Sequence, residues 1–217
     1  MALYAHFCWD DAQIGIWKME EGESELMARL PASVSQGVER FAAPHRRLEW
    51  LSVRLLLITM LGRQDVADAL IGYTPAGAPY LLDHTHALSI SHTKGYVAVM
   101  LAPWGSHPGI DLEQWGERVC KVASRFMRED EEVPLYHESP VAALLLHWSA
   151  KEAMYKSMTQ QEAVDFKQHL RIFPFPIAAE GCFDAQEYRT SLQQRYSMAY
   201  RLYADFVLTW VTAVWPG

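Results

Sequence analysis

Trp148-Ser149-Ala150-Lys151-Glu152-Ala153-Met154-Tyr155-Lys156, read with the earlier Gly109-Ile110-Asp111-Leu112-Glu113, is the stretch around which the chain is organised. The first lies in a span from Ala142 to Met158 whose apolar spacing predicts a helix, with Leu145, Trp148, Ala153 and Tyr155 on an inward face. The second follows the breakers between Pro103 and Pro108 and reads as a short strand. Residues i and i+2 of a strand share a side, so Asp111 and Glu113 project together while Ile110 and Leu112 face the core. Glu152 and Lys156 are four apart and share a helix face. If that helix packs on that strand, Glu152 becomes a third carboxylate of the group. Lys156 would then reach a phosphate or a leaving oxygen. Oxygen ligands of this kind suit magnesium, which keeps several waters and is completed by the phosphates of its substrate. Each half also has a plainer reading. Asp-x-Glu on a strand can be a solvated face, and Glu before Lys at four residues is an ordinary helix pair. Trp148 and Tyr155 beside the pair favour an interface over bulk water.

Working outward, Pro44 to Gly62 places Leu48, Leu51, Leu55 and Ile58 at helical spacing, with Arg46, Arg47 and Arg54 among them and Gly62 as the stop. Tyr73 to Pro79 is rich in breakers and reads as a loop. Ala87 to His92 and Gly95 to Leu101 read as strands joined at Thr93-Lys94-Gly95. A β-rich tail from Tyr196 to Trp215 closes the chain. A helix followed by strands, twice at similar length, predicts an α+β protein of two halves, 1–105 and 106–217, packed face to face.

With 217 residues, 50% hydrophobic and 12% aromatic, the chain is long enough for a sizeable core. Its three cysteines, Cys8, Cys120 and Cys182, are odd in number and form no Cys-x-x-Cys pair. That argues against a disulfide framework or structural zinc and for a reducing, cytoplasmic setting. No basic segment followed by an apolar run opens the sequence, and no 18 apolar residues run together, so no signal peptide or membrane association is expected. The net charge of −7 leaves no basic surface for nucleic acid. An anionic ligand must be held by local cations or a metal. Ser89, Ser91, His92, Thr93 and Lys94 gather hydroxyl, imidazole and ammonium donors suited to a phosphate. A serine hydrolase would need a Gly-x-Ser-x-Gly elbow, and neither that nor a Gly-rich phosphate loop is present.

Gly109 to Glu113 and Trp148 to Lys156 resemble the two signature motifs of the 4′-phosphopantetheinyl transferases, G-[IV]-D-x-E and [FW]-[SC]-x-K-E-[AS]-x-x-K. Ser89-Ile90-Ser91-His92-Thr93 resembles the family's S-x-S-H-[ST] motif ahead of a buried strand, and the order matches. The length and paired halves are similar to the surfactin-synthetase type, a pseudo-symmetric pair of α+β halves around a central cleft. The resemblance implies an enzyme that binds coenzyme A there and transfers its 4′-phosphopantetheine to a serine of an apo acyl or peptidyl carrier protein, releasing adenosine 3′,5′-bisphosphate. It implies magnesium, or manganese in its place, on Asp111, Glu113 and Glu152. Glu152 would also be the base, and Lys156 would act on the departing phosphate. Lys151 would lie near the diphosphate, Ser91 and His92 would contact a coenzyme A phosphate, and Arg46 or Arg47 resembles the family's residue for the 3′-phosphate. A cleft completed within one chain implies a monomer. Two positions depart from the pattern: Ala78 stands before Pro79 where a lysine is usual, and Arg128 stands where serine is usual. A non-catalytic descendant that binds coenzyme A or a carrier is the alternative, and an unrelated magnesium-dependent phosphohydrolase is a third reading.

Overall fold

The computed structural model describes residues 2–31, 37–62, 71–159 and 163–213, and the last two residues of the expected tail strand, Val214 and Trp215, lie outside them. The chain divides into two compact units, Met1–Ser106 and His107–Gly217.

In the first unit, β1 (Leu3–Trp9) and β2 (Ala12–Lys18) form a hairpin, followed by α1 (Glu23–Ala28) and α2 (Pro44–Leu61). A two-stranded ribbon, β3 (Ile71–Tyr73) and β4 (Pro79–Leu81), precedes the hairpin of β5 (His86–Thr93) and β6 (Tyr96–Pro103). The main sheet is antiparallel in the order β1-β2-β6-β5. The ends of α2 follow from local chemistry. Pro44 starts it, where the missing N–H costs nothing, and Gly62 stops it in the left-handed region at φ 62°. Its Leu51, Leu56 and Leu57 are buried over the sheet with Trp17, Val97 and Val99. Gly15 of β2 admits the helix closely: a Cβ there would fall 2.6 Å from Met60 Sδ.

The second unit begins with β7 (His107–Gln114), then α3 (Arg118–Val122) with a short 3-10 turn at Ala123–Arg125, the long α4 (Val141–Ser157) and the single turn α5 (Phe166–His169). The strands β8 (Leu170–Ile172), β9 (Glu180–Glu187), β10 (Arg195–Leu202) and β11 (Phe206–Ala213) complete an antiparallel sheet ordered β7-β11-β10-β9-β8. The first strand of the unit thus pairs with its last, in the register Asp111 to Thr209 and Glu113 to Val207. α4 packs on both strands. Its Leu146, Ala150, Ala153 and Met154 are fully buried in one core with Phe126, Val207 and Val211.

One sequence reading changes here, and the strands β1, β2 and β9 were not anticipated. The hairpin β1–β2 and strand β9 carry exposed polar residues on one face, His6 and Asp184 among them, so neither shows a long apolar run. The α4 helix is buried almost all round, not along one inward face, and its less buried positions are Val141, Trp148, Glu152, Tyr155 and Lys156. Finally, α4 lies on the side of β7 that bears the acids. Ile110 and Leu112 point to the other face and are buried, as the sequence pattern expects.

Candidate active site

Gly109 explains why α4 covers the acidic side of β7. A Cβ on Gly109 would stand 1.9 Å from the carbonyl oxygen of Ala153, so the helix backbone rests directly on the strand at that point. Ser149 and Thr209, paired hydroxyl to hydroxyl at 2.8 Å, join the same helix to β11. With the helix seated there, the i+2 spacing of Asp111 and Glu113 and the i+4 spacing of Trp148, Glu152 and Lys156 bring the part-open stripe of α4 over the two acids.

Lys156 Nζ donates to Asp111 Oδ1 at 2.7 Å and to the Ile110 carbonyl at 2.9 Å. The Trp148 indole N–H donates to Glu113 Oε1 at 2.7 Å. Asp111 is only 5% exposed. Burial pushes Glu113 up to about 7, the neighbouring charges of Asp111 and Glu152 push the same way, and the Trp148 hydrogen bond pulls back. Glu152 is likewise raised to about 7, first by burial and then by Asp111, with Lys156 opposing. The charge of Asp111 raises the proton affinity of both Glu113 and Glu152, and the three side chains make an acidic pocket whose charge a cation would relieve. Their hard oxygen donors fit a magnesium-type ion. Among the described residues no three His, Cys, Asp or Glu side chains are drawn together as metal ligands. The ammonium of Lys156 supplies the positive charge at Asp111. Beside Glu113 and Glu152 opens a cavity of about 790 Å³ walled by Val119, Val122, Leu145, Trp148 and Phe166.

Lys151 does not join this group. It is fully buried, pairs with Glu131 at 2.7 Å and donates to the Phe126 carbonyl at 2.7 Å. Glu131 also accepts from the N–H groups of Arg128 and Ile172. Desolvation lowers the Lys151 pKa while Glu131 raises it. One residue along a helix turns a side chain by about 100°, so Lys151 and Glu152 cannot share a face. The expectation that Lys151 lies near a diphosphate is corrected: it is an internal tie between α4 and the segment from Phe126 to Glu131. Arg128, set at the usual serine position, donates instead to Asp130 and to the Gln168 carbonyl.

In the first unit, Arg46 Nη1 lies 2.8 Å from Glu49 Oε2 and 3.0 Å from His92 Nε2. These three line a cavity of about 260 Å³ with Trp50, Tyr73 and Pro79. Arg47 turns elsewhere, donating to the Phe41 carbonyl at 2.6 Å and reaching Glu23. Of the two arginines, Arg46 is the one that meets His92. Ser91 and His92 are successive residues of β5, within the strand expected over 87–92, so they point to opposite faces. Ser91 is buried and His92 exposed, and the expectation that they meet one phosphate together is corrected. Glu49 and the Glu131 tie were not anticipated. Glu49 was legible as the residue three after Arg46, whereas no spacing links Glu131 to Lys151.

Residues 108–211 match the 4′-phosphopantetheinyl transferase superfamily. The match covers slightly under half of the chain and includes both motifs, α4 and the pairing of β7 with β11. It supports a phosphopantetheinyl-transferase type of enzyme. Such transferases take their group from coenzyme A, serve carrier proteins and typically use a divalent metal. The mixed α+β architecture is compatible with that fold. No curated protein sequence matches the chain. No helix among the described residues is long and apolar enough to cross a membrane.

Proposed function

We propose that this protein is a 4′-phosphopantetheinyl transferase of the surfactin-synthetase type, acting from coenzyme A on a serine of an apo acyl or peptidyl carrier protein. The observation that carries the reading is the convergence of Asp111, Glu113, Glu152 and Lys156 on one face of the matched segment. The two units, 1–105 and 106–217 in the sequence reading, are like halves. Support comes from strand order, since in each the last strand lies between an earlier strand and the penultimate one, β2-β6-β5 and β7-β11-β10, with a long helix on the sheet.

Asp111, Glu113 and Glu152 would hold magnesium or manganese, which when bound supplies positive charge to the pyrophosphate as its charge grows. The serine oxygen forms a bond to the phosphorus on the pantetheine side. The bond from that phosphorus to the bridging oxygen breaks, and adenosine 3′,5′-bisphosphate leaves. Glu152 accepts the serine proton, directly or through water. Lys156 is already within hydrogen-bond reach of this face and stabilises the departing phosphate oxygen by donation. Arg46 and His92 bind a coenzyme A phosphate, the 3′ group by preference, and Glu49 holds Arg46 in place before the ligand arrives. The protein acts as a cytoplasmic monomer.

Incubation with apo carrier protein, coenzyme A and magnesium should add one phosphopantetheine to the carrier, read by intact mass. A protein that binds both partners without transfer would instead favour the non-catalytic descendant.

A further inference from the structure

Trp148 stands on the part-open stripe of α4, one turn before Glu152. Its indole N–H holds Glu113 Oε1 at 2.7 Å. The ring is in turn fixed, edge-on to Phe126 with centroids 5.2 Å apart and tilted against Phe166 at 5.5 Å. Phe126 is fully buried, and Lys151 grips its carbonyl. A glutamate on a strand has three side-chain torsions and many rotamers. Here one of its two oxygens is committed to a donor whose own position is set by packing.

We propose that Trp148 is a positioning residue that makes Glu113 a one-oxygen ligand, occupying Oε1 so that a divalent cation is served by Oε2 alone. The inference rests on the metal reading of the proposed function. Its consequence is selectivity. Magnesium and manganese accept single oxygens in a compact octahedron, whereas calcium takes more ligands and uses carboxylates through both oxygens. A tethered Glu113 therefore disfavours calcium. Trp148→Phe keeps an aromatic ring against Phe126 and Phe166 and removes the indole N–H donor.

Direct calorimetric titration of the protein with Mn²⁺ alone and Ca²⁺ alone reads this without turnover. In W148F the Mn²⁺ dissociation constant should rise about tenfold, the usual scale for losing an outer-shell partner, and the preference for Mn²⁺ over Ca²⁺ should shrink. In a Glu113→Gln background the same substitution should add nothing further. Phe166→Leu loosens the ring but keeps the indole, and it carries the test should W148F be unstable. It should weaken Mn²⁺ by a smaller factor, and unchanged affinity would overturn the proposal. Wild-type protein that binds no Mn²⁺ would remove both the metal reading and this inference. Wild-type protein that binds Mn²⁺ while W148F keeps the same affinity and the same Mn²⁺ to Ca²⁺ ratio would overturn the inference alone.

Discussion

Gly109→Ala is the sharpest perturbation of how the site is assembled. The new Cβ would lie 1.9 Å from the Ala153 carbonyl oxygen and 2.8 Å from its carbon. Ordinary contact needs about 3.4 Å, so helix and strand must separate by roughly 1.5 Å. The obstacle is main chain in the middle of α4 and cannot turn aside as a side chain would. Overpacking of a tight core costs about 1–3 kcal/mol, and this case belongs at the upper end. The loss of chain entropy in the unfolded state returns only about 0.4–1 kcal/mol. A net loss of about 2 kcal/mol corresponds to a fall in Tm of roughly 4–8 °C for a chain of this size. The same displacement would pull Lys156 from its 2.7 Å contact with Asp111. A misplacement on the order of 1 Å can cost about 100-fold in rate. Thermal unfolding and transfer kinetics, measured on one preparation, check both numbers. A G109A protein with wild-type Tm and wild-type kcat/KM would refute the close seating of α4 on β7.

Other expectations follow from the same geometry. Asp111→Ala or Glu152→Ala should reduce transfer by about 100-fold or more with the circular dichroism spectrum unchanged, and full activity in D111A would remove Asp111 from the site. Lys151→Met should lower stability by about 3–5 kcal/mol because it strands the buried Glu131 charge, while combining Lys151→Met with Glu131→Leu should recover much of that loss in urea unfolding. Arg46→Ala and His92→Ala should raise KM for coenzyme A more than for its analogue lacking the 3′-phosphate; equal effects on both would count against the 3′-phosphate assignment. Glu113 and Glu152 have folded pKa values raised to about 7 from 4.5, so the folded state holds protons that the unfolded chain releases. Their contribution is fully present below about pH 4.5 and lost as pH rises through about 7. Glu152→Gln should therefore stabilise metal-free protein more at pH 8 than at pH 5, by about 1–2 kcal/mol after solvent screening. A difference independent of pH would show that Glu152 does not carry the raised pKa.

What the sequence made legible was local. Pro44 and Gly62 mark the ends of α2, and the apolar run from Tyr96 to Leu101 marks β6, because caps and continuous burial leave their mark on neighbouring residues. The spacing within Asp111-x-Glu113 and Trp148 to Lys156 placed the right side chains on common faces. The readings that changed all depended on contacts between distant residues. Nothing near Lys151 announces that Glu131 waits across the core, and nothing near Asp111 settles by itself which side of β7 the helix covers. Composition groups Ser91 and His92 as donors for one phosphate, whereas successive strand positions send them to opposite faces. Edge and half-solvated strands such as β1 and β9 are hard to read because polar residues interrupt their apolar pattern.

The central claim is tested most directly by intact-mass analysis of a panel of apo acyl and peptidyl carrier proteins incubated with this protein, coenzyme A and magnesium. The account predicts one phosphopantetheine added at a carrier serine, with equimolar adenosine 3′,5′-bisphosphate, and loss of both with Glu152→Ala. Folded, coenzyme A-binding protein that modifies no carrier in the panel would contradict it.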